Sequence, residues 1–197
     1  MIKAIVFDCF GVVLADNLQR MRARLAEKDP EAANEVMGLV ALANKGILDP
    51  VETRPKLAKL FGLSLEEYMQ EVTSGEGRNE ELIAYIPGLK KHYKTAMLSN
   101  IGAGSLLRRF TQQELDSLFD EVVASGEIGY AKPEARAYEI TAERLGVEPK
   151  ECVFTDDREG FCEAARSVGM QAIVFEDFQQ FSHDLQALLM QNPTEQA

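Results

Sequence analysis

The sequence predicts an α/β protein: a parallel sheet with helices on both faces and an all-helical insert after the first strand. Three observations carry this. Short apolar runs recur at residues 2–7, 95–98, 121–124, 152–155 and 171–175, each of strand length. Apolar residues at helical spacing lie between them, at 102–110, 135–145 and 160–168. The stretch from about Asp16 to Tyr85 holds no strand-like run. Alternating strand and helix patterns argue for crossover connections and a parallel sheet.

The first strand is Ala4-Ile5-Val6-Phe7, and it runs straight into Asp8. In the insert, Leu18, Met21 and Leu25, then Val36, Leu39, Val40 and Leu42, repeat with helical period, while Pro50, Pro55 and Gly62 punctuate. Ser64 reads as the N-cap of a helix over 65–73, with Glu67 three residues on completing a capping box. The expected division is an α/β core of residues 1–15 and 86–197 and a helical cap of residues 16–85, placed to cover the end of the first strand. The tail from Asn192 is expected to fray.

The 197 residues carry a net charge of −11, with a pI near 4.7. Such a surface repels nucleic acid and anionic membrane, so neither is an expected partner. No apolar stretch approaches the roughly 20 residues of a membrane helix. Met1-Ile2-Lys3 leads directly into a strand, without a signal-peptide pattern. Cys9, Cys152 and Cys162 have no metal-binding spacing and read as buried thiols of a cytoplasmic protein. Monomer and homodimer are both compatible with the sequence.

Four places at predicted strand ends carry reactive groups: Asp8, Ser99-Asn100, Lys132 and Asp156-Asp157. A parallel sheet gathers its strand ends on one edge, so these groups can meet. A carboxylate can attack phosphorus or carbon. A hydroxyl and a lysine can hold a phosphoryl group, and further carboxylates can bind Mg²⁺. Taken singly, each has a plainer reading: a loop acid, a turn, a surface lysine, a helix-start acid pair.

The four segments together resemble the haloacid dehalogenase-like hydrolase superfamily nearly end to end. The matching segments are Val6-Phe7-Asp8-Cys9-Phe10-Gly11-Val12-Val13, Met97-Leu98-Ser99-Asn100, Lys132-Pro133-Glu134-Ala135-Arg136 and Val153-Phe154-Thr155-Asp156-Asp157. The motifs are most similar to those of the sugar-phosphate (α-glucose-1-phosphate) phosphatase branch, and also resemble 2-haloacid dehalogenases. The resemblance implies a Rossmann-like core with a helical cap and a small phosphorylated metabolite as substrate. It implies Asp8 as nucleophile, and Ser99, Asn100 and Lys132 as phosphate-binding residues. It implies Mg²⁺ held by Asp8, the Phe10 backbone carbonyl and Asp157, with Asp156 as a substitute.

Two positions depart from the family pattern. Phe10 stands where most phosphatases of the family have an aspartate that protonates the leaving group. Losing such a group costs about 10²–10⁴-fold in rate. Phe161 stands where a further metal-binding acid or amide is expected. Three readings follow: a Mg²⁺-dependent phosphatase, a metal-independent dehalogenase-like hydrolase, and a weak or inactive relative with a binding role. Cap polar residues Asn17, Arg20, Asn44 and Lys45 are candidates for specificity. Arg20, Arg22 and Arg24 are candidates for the substrate arginine of a dehalogenase.

Overall fold

The computed structural model describes residues 1–191; the tail expected to fray from Asn192 lies outside the described residues. Five parallel strands form one sheet: β1 (Ala4–Phe7), β2 (Lys94–Ser99), β3 (Glu121–Ala124), β4 (Cys152–Asp156) and β5 (Gln171–Val174), in the order β3-β2-β1-β4-β5. Each coincides with a predicted run to within two residues at either end. β1 is central, and its four residues are completely buried.

Strand residues alternate between two apolar clusters, as the period of two requires. Ile5, Phe7, Met97, Val153 and Ile173 face one side, and Ala4, Val6, Ala96, Leu98 and Phe154 the other. The chain's helices follow the same logic. α1 (Asn17–Ala26), α2 (Pro30–Asn44), α3 (Pro50–Leu60) and α4 (Leu65–Ser74) pack on one another around Met21, Val36, Leu57, Ala58, Tyr68 and Val72. α5 (Glu80–Lys90) and α6 (Gln112–Leu118) cover the first face of the sheet through Leu82, Ile86, Leu89, Leu115 and Leu118. The short α7 (Ser125–Ile128) follows β3. α8 (Ala135–Leu145) and α9 (Glu159–Ser167) cover the opposite face, and α10 (Phe178–Gln191) returns to the first.

Local sequence explains the helix ends. Asp16, Asp29, Asp49, Ser64 and Asn79 cap α1 to α5 with side-chain acceptors, and Ser64 and Glu67 form the reciprocal capping box. The 85/86 boundary expected between cap and core falls inside α5, whose apolar residues join the sheet's cluster. The separate cap cluster is built from α1 to α4.

The expected helix over 102–110 is reduced to a 3₁₀ turn at Ser105–Arg108. Its start is blocked by Gly104, at φ +65°, and by a close backbone approach. A Cβ on Gly126 would lie 2.6 Å from the Ala103 nitrogen and 2.8 Å from Gly102 Cα.

The two chain crossings between sheet and cap run together as a ribbon. Ala15 N–H donates to Gly77 O (2.8 Å), Asn79 N–H to Val13 O (2.9 Å), and Leu14 and Arg78 form an antiparallel bridge. The Asn79 side chain adds a bond to Val12 O (3.0 Å). No helix among the described residues is long and apolar enough to cross a membrane.

Candidate active site

The register brings the predicted residues to one edge. Phe7 pairs with Met97 on one side and Thr155 on the other, so Asp8, Ser99 and Asp156 all emerge at the carboxyl ends of adjacent strands. Asp8 N–H is anchored to Thr155 O (2.9 Å). Lys132 arrives from the loop after α7, and its backbone is clamped by the Asn100 amide. Lys132 N–H donates to Asn100 Oδ1, and Asn100 Nδ2 to Lys132 O, both at 2.8 Å.

Lys132 is buried and its Nζ lies 2.6 Å from both Asp8 Oδ1 and Asp156 Oδ2. Burial alone would lower the ammonium, but the two carboxylates outweigh it and raise its pKa. Burial pushes the Asp8 carboxyl up; Lys132 opposes this and Asp156 adds to it. Asp157, half-buried beside them, is pushed up to about 6, by burial first and then by Asp156 and Asp16.

The donor set fits a divalent cation. Ligand atoms of Asp8, Asp156 and Asp157 lie within 4.8 Å of one another, with Lys132 and Arg158 as the cations acting on Asp157. Asp157 Oδ1 is buried without a hydrogen-bond partner. Asp156 is committed to Lys132 and to Arg158 N–H (3.0 Å), which leaves Asp157 as the freer acid. Gly11 makes room for it. At φ +101° it carries no side chain, and a Cβ there would come within 2.4 Å of the Asp157 carboxylate. Oxygen ligands with open positions suit Mg²⁺, which keeps several waters.

Ser99 Oγ is also buried without a partner. A hydroxyl left unsatisfied at the reactive edge is suited to an incoming oxyanion, since leaving it so costs about 1–3 kcal/mol. Phe10 carries no proton to transfer. Its ring lies under the Arg109 guanidinium at 5.1 Å. Phe161 likewise presents a ring in place of a carboxylate, 5.2 Å from Lys132 Nζ and 4.1 Å from the Arg158 guanidinium carbon. Its backbone carbonyl accepts from the Tyr138 hydroxyl (2.9 Å).

A cavity of about 570 Å³ opens over Asp8, Ser99, Asn100 and Lys132 and is walled in part by α1 to α4. Its size is that of a small-molecule site. The cap residues singled out from sequence divide here. Asn44 and Arg22 line the cavity. Asn17 donates to Glu71 O (2.7 Å) within the cap, and Arg24 pairs with Glu71 at the surface. Arg20 lines a separate cleft. Lys45 pairs with Glu134 across the boundary (3.0 Å). Sequence reasoning missed Arg54, Arg108, Arg109 and Glu76, which also line the cavity. No local pattern marks them, because they meet only when the cap folds over the sheet.

Comparisons with known proteins give the family and the fold. The sequence model described as a haloacid dehalogenase-like hydrolase matches residues 2–169. A phosphorylated carbohydrates phosphatase of Thermotoga maritima is 29% identical over 187 residues, 87% of this chain and 83% of that protein. A Mycobacterium tuberculosis phosphatase is 40% identical over 87 residues, 42% of this chain and 39% of that protein. An enzyme of the same family from Bacteroides thetaiotaomicron, solved with magnesium and inorganic phosphate, superposes with a TM-score of 0.73 at 21% identity. That superposition spans 92% of this chain and 99% of that one, and speaks to the fold.

Proposed function

Since the chain belongs to the haloacid dehalogenase-like hydrolases, we propose that it is a Mg²⁺-dependent phosphatase of a small phosphorylated metabolite, acting through an aspartyl-phosphate on Asp8. The observation that carries this reading is the partnerless Ser99 hydroxyl lining the same cavity as the Lys132 ammonium, which holds Asp8 at 2.6 Å. The comparison with the Thermotoga phosphorylated carbohydrates phosphatase supports the substrate class.

An Asp8 carboxylate oxygen attacks phosphorus and the bond to the leaving oxygen breaks. Ser99 Oγ–H and Lys132 donate to the phosphoryl oxygens and stabilise the charge that spreads over them. Asn100 positions Lys132 through its backbone. Water then attacks the phosphorus of the aspartyl-phosphate, releasing phosphate and restoring the Asp8 carboxylate. Asp8, the Phe10 backbone carbonyl and Asp157 would hold Mg²⁺, which supplies positive charge against the phosphate oxygens. With phenylalanine at position 10, the leaving oxygen takes its proton from water.

Asp8→Asn removes the nucleophile. We expect phosphate release from a phosphoester panel to fall by about 10⁴-fold or more, with EDTA suppressing the wild-type rate. Acid-quenched intact mass should show a phosphoryl adduct on the wild type and none on the variant. Undiminished release by the variant would sink the reading.

A further inference from the structure

The charge lining the cavity is the reverse of the molecule's. The chain is −11 overall, yet six cationic side chains line the cavity against three carboxylates. Two of these cations, Lys132 and Arg109, are paired with carboxylates. Lys132 lies between Asp8 and Asp156. Arg22 and Arg158 act at longer range on Asp16, which lines the same cavity, without an ion pair to it. Arg109 is held in a fork by Glu76, with bonds of 2.5 and 2.6 Å.

Arg54, half-buried, and Arg108, exposed, have no carboxylate partner among the described residues either, and they lie close enough to repel each other. Arg54, on α3 of the cap, makes no hydrogen bond or ion pair to other described residues, and Arg108, on the 3₁₀ turn of the core, donates only to Ser105 Oγ (2.9 Å). The two guanidiniums act on each other across the cap–core boundary, and Glu76, bonded to Arg109, offsets this at Arg108 only in part. Tyr68, nearby on α4, turns its phenol toward the same cavity. Two unmatched guanidiniums facing one space form a fork donor suited to carboxylate or phosphate oxygens.

We propose that the substrate carries a second anionic group, a carboxylate or a further phosphate, which Arg54 of the cap and Arg108 of the core bind while its phosphoryl group lies at Asp8. This assignment rests on the phosphatase reading above and narrows it. A sugar monophosphate with only hydroxyls beyond the phosphorus would leave both guanidiniums unanswered. A doubly anionic substrate would also bridge cap to core, because Arg54 belongs to one and Arg108 to the other.

The test uses matched pairs: glycerol 3-phosphate against 3-phosphoglycerate for the carboxylate, and fructose 1-phosphate against fructose 1,6-bisphosphate for the phosphate. In at least one pair the doubly anionic member should lead by about tenfold or more in kcat/KM. Arg54→Gln and Arg108→Gln should each bring that ratio toward one, chiefly through KM. The same four compounds are titrated calorimetrically into the Asp8→Asn protein, so that binding is read even where no phosphoester is turned over. Tighter binding of a doubly anionic member, lost in Asp8→Asn/Arg54→Gln, supports the subsite even if the phosphatase reading fails. Equal kcat/KM and equal affinity within both pairs, or a preference that survives both arginine substitutions, overturns it.

Discussion

The sheet edge and the arginine-lined wall at the cap–core boundary treat charge in opposite ways. At the edge, ions are buried and matched: Lys132 is shared by two carboxylates, and Asn100 fixes its backbone on both sides. Elsewhere in the cavity lining, Arg54 of the cap and Arg108 of the core have no carboxylate partner among the described residues. A preorganised edge serves a reaction whose charge is the same for every substrate. An unmatched wall awaits a group that only the right substrate brings.

The sharpest way to break the matched side is Lys132→Met. It leaves Asp8 and Asp156 buried side by side without their cation. We expect turnover to be lost and stability to drop by about 3–5 kcal/mol near neutral pH. The sign of the pH dependence follows from linkage. Unpaired buried carboxyls have raised pKa values when folded, so the folded state binds more protons and the deficit should shrink as pH falls. Urea unfolding at about pH 7.5 and about pH 5 checks this; a deficit that grows on acidification would contradict it.

Phe10→Asp tests whether the edge lacks only a proton carrier. Alkyl phosphates, with basic leaving oxygens, should gain about 10²-fold in kcat/KM, and aryl phosphates much less. A uniform gain or loss across leaving groups would place the effect in packing under Arg109 instead.

Breaking the pair that backs the wall comes next. Arg109→Ala strands the Glu76 carboxylate, whose side chain is only 6% exposed, and should cost about 3 kcal/mol by chemical denaturation. Arg24→Ala, whose pair with Glu71 is 63% and 42% exposed, should cost less than about 1 kcal/mol. Similar costs would mean that burial is not what separates the two pairs.

The smallest effect is the pH dependence of Mg²⁺ affinity. The Asp157 carboxyl, pushed up to about 6, must lose its proton to accept the ion. Affinity should rise as pH climbs through about 6 and level off above it, with protons released on binding. Calorimetry in buffers of different ionisation enthalpy measures that release, and a flat profile would remove Asp157 from the ligand set.

The sequence exposes the matched side and hides the other, for a physical reason. Asp8, Ser99 and Asp156 each terminate a β-rich run, and a parallel sheet must bring such ends together. The capping box at Ser64 and the strand at 121–124 are equally local and equally legible. The 3₁₀ turn at Ser105–Arg108 departs from helical periodicity because backbone at Gly102 and Ala103 presses on Gly126, a contact between distant segments. Arg54 and Arg108 are hidden for the same reason. Their meeting depends on how α3 settles over the sheet, which no spacing in the chain records. Asn100 shows the limit from the other direction: its place was legible, but its use as a clamp on the Lys132 backbone was not.

The ribbon formed by Leu14, Ala15, Gly77 and Arg78 has a mechanical consequence. Two separate tethers would let a lid slide, tilt and rotate independently. Joined edge to edge, these act as a single pin, and any swing of the lid must twist that pin. The pin is continuous with the Gly11 loop, where Gly11 N–H donates to Leu14 O. Any displacement of the four helices would therefore act on the backbone that cradles Asp157 and follows Asp8.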